Sequence, residues 1–491
     1  MFRTLRNKLG RDTDFADPER VNVLIAYNRI LDGTIYELLP FDFHQERDGD
    51  KYVPLRERAP SVQYNVCRTV VQDSVSLLFG EGRFPGIIGD GAATRQQIAD
   101  FITATDLAAV MSEAAMLGSV GSVAIQMRIL NGRVFYQPMR TTFLTPEFSP
   151  DEPDRLIGMA ELYKVSGRNL RGMGYAIDDQ VVGSMHWFRR TWDEASEGWY
   201  IPVPVNAAGA TPETMTLDTE RSVAHGLGFC PFVWIKNLPP AQGIDGACTF
   251  APAIGAQIEI DYQLSQAGRG LKYSSDPTLV IKEPATPEGD FVKSAGNALV
   301  VSEKGDAKLL EIGGTASQAV IDYVKALREF ALESIHGNRA AADKISAAQS
   351  GRAIELSFQG LVWLTDKLRT SYGAGLLAAI NLAQRATGTG RVRLQGRDGV
   401  ALVLPPGPFS LRWGPFFAPT HTDKQADAGT LATLVNEGLI SRQTSTGLIA
   451  KTYDIDDVKA ELALIAAEKA EEAARALEMA AQVKITEPGD E

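Results

Sequence analysis

Apolar residues recur at helical spacing in several stretches of the chain. In 61–78, Val62, Val66, Val70, Val71, Val75 and Leu78 fall three or four residues apart, which predicts an amphipathic helix with Ser61 as its cap and Gly80 as its stop. VNVLIAYNRILDG reads as an earlier helix ended by Asp32-Gly33. One continuous helix is expected from about Thr94 to Leu117, with Ile98, Phe101, Ile102, Met111 and Ala114 on its apolar side. The period then changes. GSVAIQMRILNGRVFYQPMR alternates on both sides of Asn131-Gly132, a strong hairpin signal because both turn residues tolerate positive φ. From 155 to 227, IGMAELYKV, GSMHWFRRTW and GWYIPVPV predict an antiparallel sheet. PFVWIKNLPP (231–240) reads as a buried strand closed by two prolines.

Helical spacing returns from Phe250 to Tyr273, carried by Ile254, Ile258, Ile260, Tyr262 and Leu264. TLVIKE (278–283), NALVVSE (297–303) and AKLLEIGG (307–314) predict three short strands in a small β unit. A helix is expected from Ala316 to Ile335, with Val320, Val324, Leu327 and Ala331 on one side, and a long one from about Gly351 to Ala386. Between them lies IHGNRAAADKISAAQSGRAIELSF (335–358), rich in small residues yet carrying Arg339, Lys344 and Arg352. A plain helical hairpin needs only a few residues there. GRVRLQGRDGVALVLPPGPFSLRWG reads as a β segment with turns at Gly396 and Pro405-Pro406. Residues 423–482 read as helical, and the final ITEPGDE as disordered. The fold class is α+β.

A chain of 491 residues is too long for one simple core. Its 44% hydrophobic content supports globular folding, and its net charge of -12 argues against tight grip on phosphates, though not against a surface that DNA merely passes. Cys67, Cys230 and Cys248 form no C-x-x-C pair and read as buried thiols of a reducing compartment. The N-terminus has no apolar signal core, and no stretch reaches 18 uninterrupted apolar residues, so an intracellular product without a membrane partner is expected.

Catalytic motifs are missing. There is no Walker A, H-E-x-x-H or G-x-S-x-G pattern, and RFPGIIGDGAAT reads as a surface loop. His44, His186, His225, His336 and His421 lack metal-ligand spacing. Asp276-Pro277 followed by Val280-Ile281-Lys282 is nuclease-like, but Val280 stands where a metal-binding carboxylate is needed. No catalytic residue, metal site or cofactor is expected.

The order of elements carries a resemblance. SVQYNVCRTVVQDSVSLLFGEG, AAMLGSVGSVAIQMRI, the run from PFVWIKNLPP to DPTLVI, SAAQSGRAIELSF and LVNEGLISRQT together resemble the portal protein, or head-to-tail connector, of long-tailed bacteriophages, over about residues 20–470. The resemblance implies an N-terminal α/β wing region at 1–250, stem helices at 251–273 and 316–336, and a clip at 274–315. It further implies a tunnel loop at 337–352, a long helix with a wing β segment at 353–425, and a helical crown with a tail at 426–491. It implies a dodecameric ring at one capsid vertex, through which double-stranded DNA is packaged and ejected. Terminase large subunit, head-tail adaptor, major capsid protein and scaffolding protein would be its partners, in the virion and, during assembly, in the host cytoplasm. On that reading Arg339, Lys344 and Arg352 face DNA. Glu283, Glu288, Asp290, Lys293, Glu303, Lys304 and Asp306 make the clip a charged docking surface. Two alternatives stand beside it: another ring-forming virion protein, or a metal-dependent nuclease using Asp276 and Glu283.

Overall fold

Alternating apolar residues build two antiparallel sheets in the computed structural model, which describes residues 1–10, 12–89, 92–206, 211–275, 278–284, 301–310, 314–337, 356, 358–388, 392–417, 421–450, 455 and 458–485. In the first sheet, Ser122–Leu130 lies between Phe232–Lys236 and Arg133–Arg140, antiparallel to both. Asn131 and Gly132 join the last two strands with φ of 50° and 78°. This left-handed pair suits the tight turn whose twist matches a hairpin. The second sheet orders its strands Val223–Ala224, Ser196–Trp199, Met185–Trp192, Leu156–Ser166 and Leu144–Phe148, with Val203–Pro204 also on Met185–Trp192. Every pairing in it is antiparallel, as the alternation predicts.

Residues from both sheets meet in one cluster: Ala124 and Phe232 from the first, with Cys230 just before its strand, and Leu144, Met159 and Trp192 from the second. Burying a side chain such as Phe232 contributes about 1.5–3 kcal/mol. The long helix Gln359–Gly388 buries Leu361, Leu364, Leu368, Tyr372, Leu376 and Ala379, and the Tyr136 hydroxyl donates to its Ala379 carbonyl at 2.7 Å. Cys67 and Cys230 are buried, and desolvation pushes both thiols up, away from reactivity.

The chain divides into two units, Met1–Arg339 with Gly360–Gly414, and Ala340–Gln359 with Pro415–Glu491. Both sheets belong to the first. The second holds helices His421–Asn436, Arg442–Ala450 and Val458–Ile485, each packed on the next, and a Phe358–Phe417 ring contact at 5.6 Å. The G-L-I-S-x-x-T stretch makes its first corner. Gly438 turns left-handed (φ 69°), so the amide of Leu439 donates back to the Leu434 carbonyl at 3.0 Å. Ser441 then caps the next helix, its Oγ accepting from the Thr444 amide at 3.1 Å.

Several sequence expectations need correction. The helix expected at 94–117 is two, Ala92–Thr105 and Leu107–Gly118, broken at Asp106 with φ 55°. Ser61 is not a cap: the helix is Val66–Phe79, and Asn65 Oδ1 accepts from the Arg68 amide at 2.9 Å. The two prolines after PFVWIKN do not close the strand region. They lie inside Leu238–Gln242, which pairs with Asp245–Ala247. GII of the glycine-rich stretch is not loop but strand Gly86–Ile88, paired with Ser410–Arg412 and burying Ile87. His186, read with the other histidines as an ordinary surface or partly buried residue, is fully buried at 1% exposure. Residues 301–310 run as one strand through Gly305, where two strands were expected. The expected start of the long helix near Gly351 and the ITEPGDE tail after Ile485 lie outside the described residues. Among the described residues no single helix is long and apolar enough to cross a membrane.

Candidate functional site: a helix pair, its hairpin and its root

Helix Ile254–Ser275 packs along helix Gly314–Ser334, and the hairpin of Thr278–Pro284 with Val301–Leu310 lies between them in the chain. The register sets Leu279 opposite Leu309, Ile281 opposite Ala307 and Lys282 opposite Asp306, with an irregularity between Lys282 and Pro284. A lone two-stranded hairpin is marginal in water.

The pair leaves apolar side chains uncovered. Leu271 is 49% exposed on the first helix; Ile321 (42%), Tyr323 (47%) and Phe330 (65%) are exposed on the second. Tyr323 and Phe330 stand seven residues apart and so share one face. Val320, Val324, Leu327 and Ala331 form the inner stripe, about 80° around the helix from those aromatics; Ala331 is buried and the other three are partly buried. Sequence reading identified that inner stripe and missed the outer one. Its signal was there: two aromatics at i and i+7, off the apolar face.

The root of the first helix is polar and closed. Asp261 accepts the Tyr64 amide at 2.6 Å and the Tyr36 hydroxyl at 2.7 Å. Gln257 Oε1 accepts the Cys67 amide at 3.1 Å, Ser265 Oγ accepts the Val62 amide at 3.0 Å, and the Tyr262 hydroxyl donates to the Arg58 carbonyl at 2.8 Å. Burial pushes the Asp261 carboxyl up to about 6, against the hydrogen bonds that lower it. From the second helix, Arg328 Nε donates to the Tyr64 hydroxyl at 3.1 Å. Arg269 pairs with Glu46 further along the first.

A second polar hub stands where PFVWIKN ends. Asn237 Nδ2 donates to the Ala247 carbonyl and to Thr249 Oγ1, both at 2.8 Å, while its Oδ1 accepts the Tyr372 hydroxyl at 3.2 Å. It thereby ties the strand region to the long helix. Arg20 completes the set with a bidentate pair to Asp245 at 2.6 and 3.0 Å.

Of the residues singled out in sequence, Glu283, Glu303, Lys304 and Asp306 fall on the hairpin, and Lys304 and Asp306 are exposed. Glu288, Asp290 and Lys293 lie outside the described residues, as do Arg339, Lys344, Arg352 and the nuclease candidate Asp276. Lys282, weighed in sequence only as part of a nuclease pattern, stands across from Asp306. Among the described residues no group of three His, Cys, Asp or Glu side chains is placed to hold a metal ion.

No curated protein matches the chain. Solved structures that it matches include a chain of the virion of a native gene transfer agent particle, at 10% identity and a TM-score of 0.42, covering 78% of this chain and 88% of that one. A chain from the neck of an empty gene transfer agent particle matches at 10% identity and 0.41, with the same coverage. Residues 190–475 span the helix pair, its hairpin and the long helix. Over them, more than half of its length, the sequence matches the family model for phage portal proteins of the SPP1 Gp6-like type, and the chain belongs to that family of virion structural proteins.

Proposed function

We propose that the chain assembles as a dodecameric ring at one capsid vertex and forms the conduit for double-stranded DNA during packaging and ejection. Family membership supports the portal role. The observation that carries ring assembly is the exposed aromatic pair on one face of the second helix, Tyr323 and Phe330. A neighbouring copy would bury it, and hydrophobic burial is the main driving force of such association. On this reading the helices at 251–273 and 316–336 are the stem and 274–315 the clip. Residues 1–250 and 353–425 form the wing and long helix, and 426–491 the crown and tail.

The clip would dock terminase large subunit during packaging and the head-tail adaptor afterwards. Its charged residues, Glu283, Glu288, Asp290, Lys293, Glu303, Lys304 and Asp306, suit a surface used twice, because polar contacts release more readily than apolar ones. Major capsid and scaffolding proteins would surround the ring. Arg339, Lys344 and Arg352, in the 337–352 loop, would touch DNA phosphates. A net charge of -12 per copy would keep that contact weak and let the duplex slide.

Packaging assays test the DNA reading. Arg339→Glu with Lys344→Glu should leave ring formation intact and lower the amount of DNA packaged. Unchanged packaging would remove this loop from the conduit.

A further inference from the structure

A closed ring of more than two copies is held by heterologous contacts, so the face that one copy presents must meet a different surface of the next. The aromatic pair Tyr323 and Phe330 therefore needs a counterpart elsewhere on the chain, and its surroundings define that counterpart's chemistry. On helical geometry Asp322, Glu329 and Glu333 form a stripe beside Phe330, on the side away from the inner stripe. All three are exposed. Asp322 has Lys325 at 3.8 Å, whereas Glu329 and Glu333 have no ion-pair partner among the described residues. The nearby cation Arg328 is turned to the Tyr64 hydroxyl. The counterpart should be apolar and cationic.

One groove of the chain has that character. Strand Leu238–Gln242 and the long helix Gln359–Gly388 border an open groove of about 330 Å³, apolar on the strand side through Leu238, Pro239 and Ala241 and flanked by Lys236 and Lys367. Both lysines are exposed. Lys236 Nζ donates to the Gly243 carbonyl at 3.0 Å, and Lys367 has no partner among the described residues. Asp366 lies about 100° around the helix from Lys367 and so leaves its charge uncompensated on the groove side. Trp363, one turn before Lys367 on the same face, is 55% exposed and extends the apolar surface.

We propose that the outer face of helix Gly314–Ser334 docks into this groove on the neighbouring copy, with Phe330 against its apolar side and Glu329 and Glu333 facing Lys236 and Lys367. The inference rests on the ring reading and deepens it by naming the second surface. Burial of the aromatic supplies the driving force, and the opposite charges fix direction and register. Both surfaces belong to the first unit. Each copy offers one of each, so the contact repeats from copy to copy until the ring closes.

Charge exchange in the full chain tests the pairing, with assembled mass read by light scattering. Glu329→Lys/Glu333→Lys and Lys236→Glu/Lys367→Glu each set like charges opposite one another and should lower the assembled fraction about tenfold or more. The chain carrying all four substitutions should assemble again, because every contact in its ring then has the pair reversed. As a second measurement, Phe330→Cys and Ala241→Cys chains assembled together and oxidised should give a disulfide-linked dimer that neither chain gives alone. Failure of the fourfold chain to recover, together with no such dimer, overturns the groove. If Lys236→Glu/Lys367→Glu assembles like wild type while Tyr323→Asp/Phe330→Asp stays monomeric, the groove is overturned and the ring reading stands. A wild type that stays monomeric under every condition overturns both.

Discussion

Two regions of the first unit handle their side chains in opposite ways. Around Arg20, Asp245, Asn237 and Tyr372 the buried polar groups are joined to partners within the chain: Asp245 also accepts from Ser122 at 2.5 Å, and Arg20 reaches the carbonyls of Thr141 and Leu144. The outer face of the helix pair leaves Tyr323 and Phe330 about half exposed or more. The first region is finished by folding. The second is finished by association, on the reading proposed above. Substitutions in the first should therefore show in stability, and substitutions in the second in assembly.

The largest effect is expected from Arg20→Ala. It strands Asp245 as a buried charge, since both side chains are only 12% exposed, and should lower stability by roughly 3–5 kcal/mol in urea unfolding. Asn237→Ala comes next. It leaves Tyr372, Thr249 and the Ala247 carbonyl without their partner and should cost about 1–3 kcal/mol in the same measurement. Phe330→Ser inverts the pattern. It should move the unfolding free energy of the unassembled chain by no more than about 0.5 kcal/mol, while reducing the assembled fraction seen by light scattering. If Phe330→Ser destabilised the unassembled chain as much as Asn237→Ala does, the contrast between the regions would collapse. The smallest effect on the fold is expected from reversing Lys304, an exposed residue of the hairpin proposed above as the clip, which on that proposal should leave stability and assembly unchanged and weaken terminase binding alone.

What could be read from sequence tracks how local the physics is. The Asn131-Gly132 hairpin was legible because two adjacent residues supply both positive φ angles. The Gly438–Ser441 corner was visible as a pattern, and its physics is equally local, a left-handed stop followed by a cap. The break at Asp106 was hidden because apolar spacing continues across it and a single left-handed residue leaves no periodic trace. Ser61 and Asn65 both have capping side chains, and the choice was made by Asp261 and Ser265, which bind the Tyr64 and Val62 amides about two hundred residues away and hold 61–65 outside the helix. The pairing of Gly86–Ile88 with Ser410–Arg412 is more distant still, so a glycine-rich strand looked like loop. At the candidate site, the inner stripe of the second helix followed from periodicity. The exposed aromatics did not, because a pattern shows which residues share a face and not which face a neighbour covers.

Particle mass measures the central claim most directly. Wild-type protein and Tyr323→Asp/Phe330→Asp should be compared by light scattering and electron microscopy, across salt concentrations and with scaffolding protein present. The account predicts wild-type rings of about a dozen copies around a channel as wide as a duplex, and a folded double variant that stays monomeric. Rings of equal mass from both proteins, or a wild type that stays monomeric under every condition, would contradict it.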